Sequence, residues 1–158
     1  MPTMSASVQV VRRVAAPTMR TWAVLTDMAG HGAVMPLTRM RVDPGPMGVG
    51  WRFTATTGIG RLGFDDDMVV ELWEPPGDGV DQGRFVIRKT GRVLRGYADV
   101  RVEGLGEAAT LVRWTEEIVV QPGWLGARLA PVVDPAVALL FGRVVGSLGT
   151  LAEAGVTR

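Results

Sequence analysis

Four side chains in this sequence are placed to move protons or anchor a polar group in an apolar setting: His31, Asp66, Lys89 and Glu116. His31 is the sole histidine, and so the sole side chain whose ordinary pKa suits proton transfer near neutrality. The other three sit in runs where apolar residues recur at every second position. Glu116 shares a parity with Val112, Trp114, Ile118 and Val120, and Asp66 shares one with Leu62, Phe64, Met68, Val70 and Leu72. Lys89 falls in step with Phe85 and Ile87. Successive strand side chains point to opposite faces, so an apolar set that turns inward takes its charged member with it. A lone buried charge is costly, and each of these should be paired, protonated or close to water. Two carboxyls and a lysine in an otherwise apolar interior describe a pocket with few polar anchors. The expected lining is Trp51, Phe53, Phe64, Met68, Phe85, Ile87, Lys89, Trp114, Phe141 and Val145, with His31, Asp66 and Glu116 as candidate acids and bases.

Each of these residues also has a plainer reading. Glu116 could be a strand-end residue paired with an arginine, Lys89 a solvated strand end, and His31 a surface residue in a loop. Asp65-Asp66-Asp67 could form a bulge or a solvated edge. A metal site from that trio is not expected, because neighbouring strand residues face opposite ways.

The elements that must position these groups follow from periodicity and turn signals. Ser5 to Val14 places Ala6, Val8, Val10, Arg12 and Val14 on one parity, the pattern of a half-buried strand. Pro17 opens a short helix with Met19, Trp22 and Leu25 at helical spacing, fading near Asp27. Gly30, Gly32 and Pro36 bracket a loop or single turn that holds His31. Strands are then expected at Thr38 to Val42, Trp51 to Thr57, Leu62 to Trp73, Arg84 to Thr90, Gly96 to Glu103 and Thr110 to Val120. The connections are too short for crossover helices, so the pairing is antiparallel, with about seven strands in all.

The last element is a helix expected to start at Asp134 as N-cap and Pro135 in the first turn. Val137, Leu140, Phe141, Val144, Val145, Leu148 and Leu151 cover more than a stripe of it, so it should be enclosed on most sides, by the concave face of a bent sheet. Gly142, Gly146 and Gly149 fall on one face, each costing roughly 1 kcal/mol against alanine. Either a neighbour packs closely there or space is kept open. The fold class expected is therefore α+β: a helix-grip fold, a curved antiparallel sheet wrapped round a long C-terminal helix, in a single domain over residues 1–158.

Composition removes several function classes. With 47% hydrophobic and 21% charged residues the chain has a globular balance. A net charge of +1 gives no broad electrostatic footprint for nucleic acid or an anionic membrane. No cysteine is present, so there is no disulfide, thiolate nucleophile or Cys-ligated metal. Met1 to Val14 lacks a basic region followed by an apolar run, so no signal peptide is expected and the cytoplasm is the default. Pro131 to Leu151 is apolar enough to raise a membrane span, but Asp134, Pro135 and Arg143 interrupt it, and a core helix is expected instead. No GxSxG, Walker, GxGxxG or HExxH pattern occurs, and neither a cofactor nor a metal is expected.

In order, Arg13-Val14-Ala15-Ala16-Pro17 leading to Trp22, Leu25-Thr26-Asp27, His31, Pro36, Gly48-Val49-Gly50, the Trp73-Glu74-Pro75-Pro76 hairpin end and Thr110 to Glu116 resemble the SRPBCC superfamily. That superfamily includes START-like lipid-binding domains and polyketide cyclases, and the resemblance runs over nearly the whole chain, most strongly to polyketide-cyclase-like members of actinobacterial type. It implies a helix-grip fold with an apolar cavity between sheet and C-terminal helix, His31 near the cavity mouth, and Trp114 and Glu116 on the last strand. It implies no single reaction, since fold does not give function. Three functions stay open: binding of a lipid, quinone or polyketide-like molecule; cyclase or dehydratase action on a poly-keto chain; and a protein-binding adaptor. The adaptor ranks last, because no strand has a clearly apolar outer face. A homodimer stays open.

Overall fold

A computed structural model describes residues 5–155; Met1 to Met4 of the N-terminal segment, and the last three residues of the expected domain, lie outside it. Seven strands form one antiparallel sheet: β1 (Ser5–Val14), β2 (Thr38–Val42), β3 (Arg52–Ile59), β4 (Leu62–Glu74), β5 (Gln82–Thr90), β6 (Leu94–Gly104) and β7 (Thr110–Val120). Their order across the sheet is β1-β7-β6-β5-β4-β3-β2, so the first strand closes onto the last and every other pair is a sequence neighbour. Helices α1 (Thr18–Thr26) and α2 (Met28–His31) link β1 to β2, and α3 (Gly123–Ala154) follows β7. This is the expected α+β helix-grip architecture.

Burial follows the parity rule where strands run unbroken. Val112, Trp114, Glu116 and Ile118 are buried on β7, and Phe85, Ile87 and Lys89 on β5. In β4 the rule holds for Asp66, Met68 and Val70 and then fails. A bulge between Val70 and Leu72 shifts the pairing, so that Leu72 opposes Val86 and Trp73 opposes Phe85. One extra residue reverses the facing of everything after it. Leu72, expected inward, therefore leaves the inner row, and Trp73 enters it. At the other end of β4, Leu62 is exposed rather than inward, because the strand runs past the sheet into a hairpin tip.

Trp73 completes an aromatic cluster. Its ring lies 5.1 Å from Trp22 of α1 and 6.2 Å from Phe85, with Trp22 and Phe85 edge-on at 5.5 Å. Such pairs contribute about 0.5–1.5 kcal/mol each beyond area burial. With Val14, Leu25, Val100, Val102, Val112, Val144, Val145 and Leu148 they fill one end of the space between sheet and helix. Met19, expected among the buried positions of α1, is exposed; Thr18 and Thr21 take the inner side instead.

Helix α3 differs from expectation in two respects. It starts at Gly123, after Pro122, and runs 32 residues through Pro131 and Pro135. Asp134 is thus an exposed mid-helix residue, not a cap. A proline inside a helix removes one donor and clashes with the carbonyl four residues back. Ala127 and Pro131, which own those carbonyls, are both solvent-exposed, so water can take the freed acceptors. Nor is the helix enclosed on most sides. Phe141, Val144, Val145, Leu148 and Ala152 are buried against β1, β7 and α1, whereas Trp124, Leu129, Val132 and Leu139 are exposed. Asp134–Ala154 is long and apolar enough to cross a membrane by length and composition, but its inward face is used in packing the core.

Two of the three glycines, Gly146 and Gly149, have an occupant. The Arg12 side chain from β1 lies across Gly146 and Gly149, its Nη1 donating to the Gly146 carbonyl and its Nη2 to Thr150 Oγ1 at 3.4 Å. A Cβ on Gly149 would stand 2.6 Å from Arg12 Nε, whereas one on Gly142 would meet nothing. Glu153 adds an ion pair to Arg12 at 3.5 Å and accepts from the Ala15 amide at 3.1 Å. The glycine face is a seat for an arginine strap, and the cavity lies elsewhere.

Candidate functional site

The other end of the space between sheet and helix is hollow. A cavity of about 420 Å³ lies among β2 to β7, α2 and the first part of α3. Phe53, Ala55, Met68, Ile87, Ala98 and Ile118 form its sheet wall, and Leu125, Leu129, Val137, Leu140 and Phe141 its helix wall. Nearly all of this surface is carbon. Four ionisable groups break it, His31, Asp66, Lys89 and Glu116, beside the hydroxyls of Thr38 and Thr57, which bond each other at 2.9 Å.

Three of the four form one cluster. Lys89 Nζ lies 2.6 Å from Asp66 Oδ2 and 3.1 Å from Glu116 Oε1. Glu116 Oε2 in turn accepts from the Trp114 indole N–H at 2.9 Å. Glu116 is 2% exposed and Lys89 5%. The lysine therefore pairs with both acids across the sheet, and neither the solvated strand end nor an arginine partner for Glu116 is found. Asp65 and Asp67, the outward neighbours of Asp66, bond instead to Thr56 at 2.6 Å and Thr54 at 2.7 Å.

Burial sets the electrostatics. It raises the Glu116 and Asp66 pKa values above the usual carboxyl range, and the nearby ammonium only partly offsets this. Burial also works to lower Lys89, but Glu116 and Asp66 outweigh it and hold its pKa above the ordinary lysine value. The lysine stays charged, and a net charge of zero is reached when the two carboxyls keep one proton between them.

His31 closes α2, a single helical turn. Asp27 begins that turn, its carboxylate accepting the Gly30 amide at 3.0 Å. This brings His31 inside, at 4% exposure, its ring centroid 6.3 Å from that of Trp114. Burial lowers its pKa below the usual value, with the Val24 backbone, the Asp27 charge and the Leu25 backbone acting against it. Two polar atoms in the cavity wall are left without partners: His31 Nε2 and Asp66 Oδ1. Buried polar groups are nearly always bonded, so each is a position where a ligand or a water is wanted. No group of three or more His, Asp or Glu side chains suited to a metal occurs among the described residues.

Of the residues expected at the site, His31, Phe53, Phe64, Met68, Asp66, Ile87, Lys89, Trp114, Glu116 and Phe141 line this cavity. Trp51, Phe85 and Val145 do not. Phe85 belongs to the aromatic cluster and stands 6.4 Å from Trp114, which divides the packed end from the hollow one. Val145 lies one turn further along α3 than Phe141, over the packed end. Trp51 precedes β3 and stacks against Phe53 at 5.6 Å, away from the opening. Strand parity for Trp51 and Phe85, and helical spacing for Val145, gave the right face and not the depth along the space. Leu125 and Leu129 were missed because the helix begins earlier than Asp134, and Ala98 because its small side chain gives little apolar signal.

No family model and no curated protein matches this chain. Solved structures do match in fold. A Thermus thermophilus protein superposes with TM-score 0.71 at 17% identity, over 96% of this chain and 99% of its own. An aromatase/cyclase from a Streptomyces strain gives 0.63 at 18%, over 98% and 100%. Norcoclaurine synthase from Thalictrum flavum, in complex with dopamine and hydroxybenzaldehyde, gives 0.63 at 13%, over 99% and 91%. The chain has the helix-grip fold of these proteins.

Proposed function

We propose that this protein binds a small, largely apolar molecule that carries at least one polar group, in the cavity between β2–β7 and α3. The observation that carries this reading is the Asp66–Lys89–Glu116 cluster, buried in a carbon-lined space of about 420 Å³. That volume lies within the range of small-molecule sites. Apolar walls supply affinity without direction, and the cluster supplies direction. A ligand hydroxyl can donate to Asp66 Oδ1, and a second polar group can meet His31 Nε2. Among lipid, quinone and polyketide-like molecules, those with a hydroxyl or carbonyl set into a hydrocarbon body fit this lining. Norcoclaurine synthase, which shares the fold and is solved in complex with dopamine and hydroxybenzaldehyde, supports a cavity ligand of this kind. We place the protein in the cytoplasm and treat its chain as one domain.

Native mass spectrometry of the purified chain, joined to thermal shift across hydroxylated and plain hydrocarbons, tests the proposal. Hydroxylated ligands should stabilise the fold at saturation and plain ones less. No stabilisation by any apolar ligand would overturn it.

A second reading, cyclisation or dehydration of a bound poly-keto chain, is favoured by the same two unpartnered atoms. His31, held neutral by burial, could accept a proton through Nε2, while a carboxyl that keeps its proton, Asp66 or Glu116, could return one. The walls would fold the chain so that its reacting carbons meet. Turnover of a poly-β-ketone surrogate that survives His31→Ala, Asp66→Asn and Glu116→Gln would refute these roles.

A further inference from the structure

The cavity mouth is bounded by Phe64 on β4, Val93 in the β5–β6 turn and Leu129 on α3, each lining the cavity while partly exposed. The apolar surface does not stop at the opening. The β3–β4 hairpin tip carries Ile59 and Leu62 opposite each other, at 69% and 83% exposure. Leu37 is held beside them, its carbonyl accepting the Gly58 amide at 3.0 Å. Across the opening, Trp124 at 66% exposure follows Gln121, whose amide bonds the Val93 carbonyl at 2.8 Å. The β5–β6 turn is tied to β4 by Thr90, which donates to the Asp67 carbonyl at 3.2 Å. Three elements thus form one continuous apolar arc around the mouth.

Each of the three also carries one arginine. Arg61 sits between Ile59 and Leu62, Arg92 beside Val93, and Arg128 beside Leu129. The segments 58–63, 91–94 and 123–129 contain no acidic residue. None of the three arginines has an ion-pair partner among the described residues, and Asp65, the nearest acid along β4, is already engaged by Arg41 at 3.3 Å. An apolar arc studded with cations is matched by a surface that offers hydrocarbon below and negative charge above. A second copy of this chain fits less well, because a two-fold contact through the mouth would bring the arginines against their own kind.

We propose that the mouth rim docks onto an anionic lipid bilayer, so that the cavity opens into the membrane interface and exchanges its apolar ligand there without passage through water. This rests on the reading of the cavity as an apolar-ligand site. Exposed Ile59, Leu62 and Trp124 enter the interface, and Arg61, Arg92 and Arg128 meet phosphate headgroups.

Co-sedimentation of the full chain with phosphatidylcholine vesicles, against vesicles containing one quarter phosphatidylglycerol, tests this. The chain should partition to the anionic vesicles and be released by salt. The Ile59→Asp/Leu62→Asp variant, altered only at exposed positions off the cavity wall, should lose at least about 10-fold in partition. Removal of all three arginines should cost about 100-fold, at about 1 kcal/mol per arginine near an anionic surface. N-Phenyl-1-naphthylamine binding in vesicle-free solution should be unchanged in these variants. Equal partition to both vesicle types would overturn the proposal. So would vesicle binding by the hairpin variant equal to that of the unaltered chain, or self-association in lipid-free buffer that the hairpin variant abolishes. Failure of the unaltered chain to bind the naphthylamine would instead strike the cavity reading, with docking still decided by the vesicles.

Discussion

Lys89 on β5 reaches Glu116 on β7, 3.1 Å away, across the intervening strand β6. Two strand spacings are about 10 Å, and the contact is possible because β6 offers almost nothing in between. Lys89 pairs with Gly96 and Glu116 with Ala98, the smallest side chains available on the inward face. Gly96 has φ +124, and a Cβ there would run into the Glu117 carbonyl. The backbone that demands glycine at this position also clears the path for the lysine.

Removing the cation from this cluster should be costly in proportion to pH. Lys89→Met leaves two buried carboxyls without their cation, a loss of about 3–5 kcal/mol where both would otherwise ionise. Urea unfolding should show that loss at pH 8 and a smaller one at pH 5, where the carboxyls can take up protons. The triple change Asp66→Asn, Lys89→Met, Glu116→Gln should recover most of the stability. A triple variant as weak as the single one would show that packing, not charge, is at stake.

Stability should depend on pH with opposing slopes. Glu116 and Asp66 have raised pKa values, so the folded chain holds protons that the unfolded chain has released. Their contribution is complete below about pH 4 and declines as pH rises through their folded values. His31 is lowered, so its contribution is complete above about pH 6.5 and declines as pH falls through its folded value. Denaturation across pH 4 to 8 should show Glu116→Gln flattening the alkaline decline and His31→Gln flattening the acidic one.

The glycines of α3 should respond unequally to alanine. Gly142 faces open space, so Gly142→Ala should stabilise by up to about 1 kcal/mol through helix propensity alone. Gly149→Ala displaces Arg12 and should gain nothing or lose. In an Arg12→Ala background the Gly149 change should become stabilising, and a thermodynamic cycle from thermal melts reads the coupling directly.

Filling the cavity should separate fold from binding. Val137→Phe, on the helix wall, places four more carbons in the open space, where the usual overpacking cost of about 1–3 kcal/mol need not arise. Thermal stability should hold while affinity for a naphthylamine probe falls at least about 10-fold. A probe that still binds equally well must sit somewhere else.

Much of this was legible in the sequence, for identifiable reasons. Asp66, Lys89 and Glu116 could be turned inward by parity because no bulge separates them from the apolar residues that fix the face. Their mutual pairing could not, since it depends on strand order and on two small residues of β6. The parity of β4 failed beyond Val70 because a single unpaired residue leaves no composition signal. Asp134-Pro135 resembles a helix start so well that the true start, 11 residues earlier at Gly123, was hidden, and with it Leu125 and Leu129. The glycine spacing was visible, but its occupant is an arginine 134 positions distant in the chain from Gly146.

The irregularity in β4 makes one strand serve two unlike rooms. Ahead of Glu71 the even-numbered side chains furnish the cavity with Asp66 and Met68; behind it the odd-numbered Trp73 plugs the packed end. Deleting Glu71 would remove only the unpaired residue, leaving Leu72 opposite Val86 and Trp73 opposite Phe85 in an unbroken ladder, so the two rooms would survive and the local bend between them would be lost.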